Sequence, residues 1–278
     1  MMKNKFLFFV CSVLMAITSF AAQPETAKKA PVFFVPELPS KPALGGKDSP
    51  VWDAANSTYG FYVRTTKQME LRRGRTLFGT SGGNFYLRIE SELPPNGARL
   101  LASQRRQDSK VWHDDSVELW IAPAGKDEYY QLTMNPLGTV YDLKHYRSGK
   151  IPDETWTAKW KKVNFLDKKR NVWVAEFEIP VQELDPSGKQ FRILVSRNWK
   201  RPANQTPFIV NEAPFNDLSR YATFVFVKKA PAINIKDLGL SLQAVKDRQC
   251  VRISVHAYLR NSDFFHIFQS FLQESSSS

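Results

Sequence analysis

The sequence predicts an all-β fold, a sandwich of two packed sheets, on three observations. Apolar side chains recur with a period of two in six separate segments, turn signals divide those segments at short intervals, and no long amphipathic helix appears before residue 230.

Taken in order, the chain opens with a basic stretch, Met1 to Lys5, an almost wholly apolar run, Phe6 to Ile17, and the small-x-small string Ser19-Phe20-Ala21. This is the pattern of a secretory signal peptide over residues 1–21. Ala22 to Pro31 is polar, Lys-rich and Pro-containing, which suits a linker over residues 22–30 and a folded domain from residue 31. Pro50 to Ala55 and Pro180 to Leu184 are one-turn helix candidates. In Asn84 to Glu90, Phe85, Leu87 and Ile89 alternate with Tyr86, Arg88 and Glu90; in Ser116 to Ile121, Val117, Leu119 and Ile121 alternate with Ser116, Glu118 and Trp120. The same period marks strands in Tyr129 to Asn135, Asn171 to Ile179, Phe191 to Arg197 and Tyr221 to Phe226. Between them stand Pro94-Pro95-Asn96-Gly97, Pro123-Ala124-Gly125, Asn135-Pro136-Leu137-Gly138 and Pro186-Ser187-Gly188, all turn-forming. Past Lys229, Ala230-Pro231 reads as a hinge. Ile233 to Ile235 and Val251 to Leu259 then start fresh alternations with too few partners to close a sheet, so residues 229–278 read as a fragment of a second β domain or an irregular tail.

Composition narrows the function classes. The chain has 278 residues, 42% hydrophobic and 24% charged, as a globular protein does. Removing residues 1–21 takes away Lys3 and Lys5 and no acid, so the formal charge of +12 falls by two. The remaining cations are dispersed rather than gathered into a nucleic-acid motif, so no nucleic-acid partner is expected; a solvated surface is the first reading of the charge, an acidic glycan or envelope partner the second. No later stretch reaches the roughly 20 apolar residues of a spanning helix. Cys11 lies in the signal segment, leaving Cys250 alone, so no intramolecular disulfide is expected; four scattered His offer no zinc spacing.

Two strings could carry chemistry. Gly79-Thr80-Ser81-Gly82-Gly83 has the look of a serine-protease nucleophile loop, but the first His is His113, after the Ser, so a Gly-rich hairpin turn is the better reading. His113-Asp114-Asp115 with Glu118 could be metal ligands, an acid/base pair or hydrogen-bond acceptors for a polyol, while Asp114 and Asp115 could equally cap a turn. Trp112 and Glu118 stand apart: an aromatic face is what the C–H side of a sugar packs on, and a carboxylate accepts its hydroxyls. Glu118 alternates away from Val117, Leu119 and Ile121, on the face not given to the core. Core packing is the competing reading of Trp112.

Trp112-His113-Asp114-Asp115-Ser116-Val117-Glu118-Leu119-Trp120-Ile121 resembles the W-x-D-D-S-V-E-hydrophobic signature of family 9 carbohydrate-binding modules, which are related to DOMON-like domains. Other pieces fall in that family's order: Gly45-Gly46-Lys47-Asp48 with Trp52, Tyr129-Tyr130-Gln131 leading to Asn135 and Gly138, Val174 to Pro180, and Arg197. The resemblance covers roughly residues 31–228. It implies a jelly-roll-like antiparallel β-sandwich that is not an enzyme and binds a polysaccharide or oligosaccharide as a secreted, periplasmic or cell-surface monomer. It implies no cofactor beyond, at most, a structural calcium ion. Residue by residue, Trp112 matches the stacking aromatic, Glu118 the carboxylate that takes the sugar hydroxyls, and Asn135 a polar residue lining the same face; Asp115 stands in the same signature. The chain departs from the family at Thr133, where sugar-binding members carry a basic residue. It departs again in Thr206 to Asp217, where a second stacking Trp is replaced by Phe208 and Phe215, with Trp199 a displaced candidate. Two other functions fit the same fold: a spacer or assembly module that binds nothing small, and a DOMON-like haem domain using Met134, His113 or His145.

Overall fold

The computed structural model describes residues 30–46, 49–146, 150–209 and 214–229, and the backbone of three strands beyond them. The signal peptide over residues 1–21, the linker up to residue 29, Lys47-Asp48 and the Ala230-Pro231 hinge lie outside the described residues.

Among the described residues sixteen strands follow in chain order: β1 (Val32–Pro36), β2 (Asn56–Tyr59), β3 (Gly74–Ser81), β4 (Asn84–Glu92), β5 (Ser116–Ala122), β6 (Glu128–Met134), β7 (Val140–Tyr146), β8 (Ile151–Asp153), β9 (Lys161–Asp167), β10 (Val172–Pro180), β11 (Gln190–Lys200), β12 (Ala203–Pro207), β13 (Ala222–Val227), β14 (Leu238–Lys246), β15 (Val251–Leu259) and β16 (Ile267–Gln273). One helical turn, α1 (Val181–Leu184), follows β10, and 3-10 turns span Pro50–Ala54, Val111–His113 and Leu218–Arg220. Among the described residues no helix is long and apolar enough to cross a membrane.

Two sheets form the sandwich. The first runs β1-β13-β11-β5-β6-β7-β8, with β12 paired to β11; the second runs β2-β3-β4-β10-β9. Every pairing in them is antiparallel except β1 with β13, which sets the first strand beside the last (Val32 opposite Thr223). Strands β14-β15-β16 form a separate three-stranded sheet in which Ile267–Gln273, a stretch whose role the sequence pattern leaves open, supplies the edge.

The period-two segments explain the core. Phe85, Leu87 and Ile89 of β4 and Trp173, Ala175, Phe177 and Ile179 of β10 face Val117, Leu119 and Ile121 of β5 and Phe191, Ile193 and Val195 of β11, all buried. Aromatic rings lock the centre: Phe78 meets Phe224 at a tilt at 4.4 Å and Phe85 meets Phe191 edge-on at 5.1 Å. The hairpin between β3 and β4 turns on Gly82 and Gly83, both at positive φ, so the serine of the protease-like string ends a strand.

The outer faces depart from the half-buried expectation. On β4, Tyr86, Arg88 and Glu90 are buried as well, because the segment between β1 and β2 crosses the second sheet and packs Leu38 and Trp52 on Leu77 and Tyr86. The approach is close: a Cβ at Gly79 would meet the Leu38 side chain at 2.6 Å. Under this cover Arg88 donates to Glu90 (2.8 Å) and Glu176 (2.9 Å), Arg170 joins Glu90 to Asp167, and Lys41 and Lys161 both reach Glu178. Burial holds the Glu176 carboxyl above its ordinary range, against the pull of the Gly45 N–H and of Arg88.

Candidate site on the outer face of the first sheet

Trp112 sits on the 3-10 turn Val111–His113 that leads into β5. Its indole is half-buried and stands edge-on to Tyr141 of β7 at 4.8 Å and 76°. The two aspartates that follow hold this turn in place. Asp114 accepts the backbone N–H groups of Ser103 (2.9 Å) and Gln104 (2.8 Å), the Ser103 hydroxyl and the Asn135 amide. Burial would push its carboxyl up, but these donors outweigh it and hold Asp114 below the usual carboxylate range. Asp115 accepts from Leu101 N–H (2.7 Å), Lys200 N–H (3.2 Å) and the Arg197 guanidinium (3.0 Å). Arg197 itself lies inside the sandwich between the rings of Trp173 and Trp199, and burial pulls it down to about 10 although Asp115 works to keep it charged.

Glu118 points to the outer face, as its parity requires, yet that face is covered there. Only 4% of the residue is exposed. Its oxygens accept from the Asn198 amide (2.9 Å) and the Trp120 indole N–H (3.3 Å), and burial, opposed by these donors and by Lys200, raises its carboxyl above the ordinary range. In register across the sheet, Glu118 lies between Thr133 of β6 and Ser196 of β11, and Thr133 in turn lies opposite Tyr141. Cross-strand neighbours in such a row stand about 5 Å apart. The row therefore runs Trp112 and Tyr141, Thr133, Glu118, Ser196. The hydroxyls of Thr133 and Ser196 are fully buried without a hydrogen-bond partner among the described residues, a condition that native structures rarely leave unexplained.

Aromatic side chains wall the neighbouring row. Trp120 meets Tyr129 at 5.9 Å and Phe215 edge-on at 6.0 Å, and His145 stacks on Tyr129 at 4.2 Å. The Tyr221 hydroxyl donates to the Phe215 carbonyl and so fixes the segment that closes this end. Burial pulls His145 below its ordinary value, and its Nδ1 has no hydrogen-bond partner among the described residues.

Of the five residues singled out by sequence, this geometry keeps two together on one face, Trp112 and Glu118. The other three are corrected. Asn135 is fully buried: its Oδ1 closes the β6–β7 turn on the N–H groups of Leu137 and Thr139, and its amide ties that turn to Gln104 and Asp114, so it does not line the face. Asp115 is committed to Arg197. Trp199 shares the inward parity of Phe191, Ile193 and Val195; it is 1% exposed, with its indole N–H bonded to Thr206, and cannot serve as a second stacking ring. Phe208 is a core residue, and Phe215 packs on Trp120. The face-lining residues that sequence reasoning missed are Thr133, Ser196, Asn198 and Tyr141, legible only once the strand register is known.

Haem and calcium fare differently from the sugar reading. Met134 opposes Val117 in the core, His145 opposes Tyr129 on the outer face, and His113 is exposed on the turn, so no two converge as axial ligands. Among the described residues no group of three or more His, Cys, Asp or Glu could hold a metal ion. The aspartates nearest the site accept only N–H and O–H donors, a set that does not fit a calcium ion.

No protein-family model and no curated protein matches the chain. Solved structures do. A candidate carbohydrate-binding protein from Bacteroides uniformis ATCC 8492 aligns with a TM-score of 0.57 at 14% identity, over 72% of this chain and all (100%) of its own. A family 9 carbohydrate-binding module from Caldicellulosiruptor kristjanssonii in complex with glucose gives a TM-score of 0.52 at 12% identity, over 73% of this chain and 98% of its own. The cellotriose complex of a module of the same family and organism gives 0.51 at 12%, over 73% and 96%. This chain therefore has the β-sandwich fold of family 9 carbohydrate-binding modules.

Proposed function

We propose that this protein is an exported, non-catalytic carbohydrate-binding module that docks a sugar on the outer face of its first sheet, against the Trp112 ring and the Glu118 carboxylate. One observation carries the reading: a buried carboxylate that makes no ion pair within 4.0 Å among the described residues, with Lys200 acting on it only through space, lies in register between two unpartnered hydroxyls, at the foot of a half-exposed Trp–Tyr corner. A pyranose offers the complement, with hydroxyls that donate to Glu118 and accept from Thr133 and Ser196, and a C–H face for Trp112. The structural neighbours that hold glucose and cellotriose support the same chemistry. The non-catalytic part rests on the carboxylates. Hydrolysis of a glycosidic bond needs two of them flanking one bond, whereas Asp114 and Asp115, the acids next to Glu118 in the sequence, are committed to structural donors.

The test is calorimetric titration with glucose, cellotriose and a panel of soluble polysaccharides. Ring stacking contributes about 1 kcal/mol, so Trp112→Ala should weaken binding by about fivefold or more while the domain stays folded. The 4% exposure of Glu118 favours the other reading, a spacer that binds nothing small. Absence of binding across the panel, or full affinity in Trp112→Ala, would establish that reading instead. Export has its own check: N-terminal sequencing of secreted protein should start at Ala22 or Gln23, and intact Met1 on the soluble protein would contradict it.

A further inference from the structure

Six cations converge on the turn that carries Trp112. Ser103 and Gln104 are anchored on Asp114, which brings Arg105 and Arg106 alongside; His113 N–H bonds to Lys110; Lys200 N–H bonds to Asp115; and the Arg201 guanidinium bonds to the Arg99 carbonyl at 3.3 Å. Arg99, Arg105, Arg106, Lys110 and Arg201 are exposed, and Lys200 is half-buried. The ion pairs at this end of the molecule are Arg72 with Glu70, Arg73 with Glu92 and Arg197 with Asp115, and none of the six takes part in one among the described residues. Two exposed acids, Asp108 and Glu154, act on Tyr141 nearby. Six cations against these two exposed acids leave an excess of four, and counting Asp114, Glu118 and Asp142, which accepts from Gln107 on the same loop, as ionised still leaves one.

Resting on the carbohydrate-binding reading, we infer that the ligand is an acidic glycan, bearing carboxylates or sulfates, with a neutral sugar unit in the Trp112–Glu118 slot and its charged neighbours on this cationic rim. The slot and the rim divide the work. Glu118 repels an anion, so the unit it holds is neutral, whereas the rim, open to water, attracts anions at longer range and does so less as salt screens it. The six stand on the loops and strand end tied to the Trp112 turn through Asp114 and Asp115, whereas on the outer face of the second sheet each buried carboxylate already has its own cation.

The experiment measures affinity for three matched pairs of polymers: homogalacturonan and glucuronoxylan, each against its carboxyl-reduced form, and a carrageenan against its desulfated form. Cellotriose is titrated in parallel. The acidic member of at least one pair should bind tenfold or more tightly than its neutral counterpart at 20 mM NaCl, with most of the difference gone at 300 mM. A uronate pair and the sulfate pair distinguish the two sources of charge. Arg99→Glu with Arg201→Glu should bring the acidic member down to the neutral one, and Trp112→Ala should weaken both. Equal affinity within every pair, with cellotriose bound, overturns this inference and leaves the carbohydrate reading standing. Failure of all six polymers and of cellotriose overturns both. Acidic binding that is untouched by Trp112→Ala is bulk charge attraction and overturns the inference as well.

Discussion

The two outer faces of the sandwich carry similar side chains and treat them differently. On the second sheet, Glu90, Glu176 and Glu178 each meet an arginine or lysine beneath or beside the segment that carries Leu38 and Trp52. On the first sheet, Glu118 is as deeply buried but its hydrogen bonds come only from an amide and an indole, with Lys200 acting on it through space, and the hydroxyls on either side of it meet nothing among the described residues. Neutral groups are left over on the second face too: among the described residues the Trp52 indole N–H has no hydrogen-bond partner, while the Tyr86 hydroxyl stands beside Lys41 and Glu178 of the charge network. The difference teaches how to tell a clamp from a site. A covered face whose charges are matched internally holds its cover down, whereas a covered face with an unmatched carboxylate and unmatched hydroxyls has hydrogen bonds to offer another molecule.

The largest effect separating the faces should come from the clamp. Arg88 and Glu176 are buried almost completely, and removing one partner of such a pair costs about 3–5 kcal/mol because the other is left charged and dry. Arg88→Met should lower the unfolding free energy by that amount in chemical denaturation, Arg88→Met with Glu176→Leu should recover most of it, and sugar affinity should be unchanged in both. A loss of affinity would mean that the second sheet takes part in binding.

Thr133→Val and Ser196→Ala should behave in the opposite sense. A buried hydroxyl without a partner gives nothing to stability, so replacing it is neutral or slightly stabilising, while the hydrogen bond each would make to a ligand is worth about 0.5–1.5 kcal/mol. Unfolding midpoints should hold or rise and affinity should fall by about twofold to tenfold for each. A drop in stability instead would place these hydroxyls in the structural network.

The smallest effect is in pH. The Glu118 carboxyl is raised in the folded protein, so its ionised form costs stability fully above its folded pKa, and that cost disappears as the pH falls towards the unfolded value of about 4.3. Sugar affinity should move the other way, falling as Glu118 gains a proton. Wild type compared with Glu118→Gln by thermal melts between pH 7 and pH 4 should show wild type gaining ground on acidification. A difference that is flat with pH would show that Glu118 does not titrate in this window.

Much of this architecture is legible in the sequence where one face of a strand is uniformly apolar. The β4, β5, β6, β10, β11 and β13 segments announce themselves in that way. The other strands of the sandwich do not, and three of them show why, with polar side chains or glycine at the positions facing the other sheet: Asp142 takes such a place on β7, where it accepts Ala158 N–H; Asn164 lies opposite Ala175 on β9; and β3 begins Gly74-Arg75-Thr76. The inward direction of Trp199 is legible in its parity with Val195. The outward direction of Glu118 follows from parity, but its burial does not. Its surroundings come from Tyr221, which acts on Glu118 and is tied to the Phe215 carbonyl, far along the chain, and from a strand register that no local pattern contains.

The most direct test makes one chemical change on both faces. Glu118→Gln and Glu176→Gln each remove a buried charge and keep the shape, and calorimetric titration with the best-binding sugar, run beside thermal melts, reads the two consequences together. The account predicts that Glu118→Gln weakens binding by tenfold or more, as loss of a charged acceptor worth about 1.5–3 kcal/mol requires, and leaves the melting temperature within a few degrees, while Glu176→Gln lowers the melting temperature sharply and leaves affinity intact. If Glu118→Gln instead keeps full affinity and melts early, Glu118 is one more structural carboxylate and the first sheet carries no sugar site.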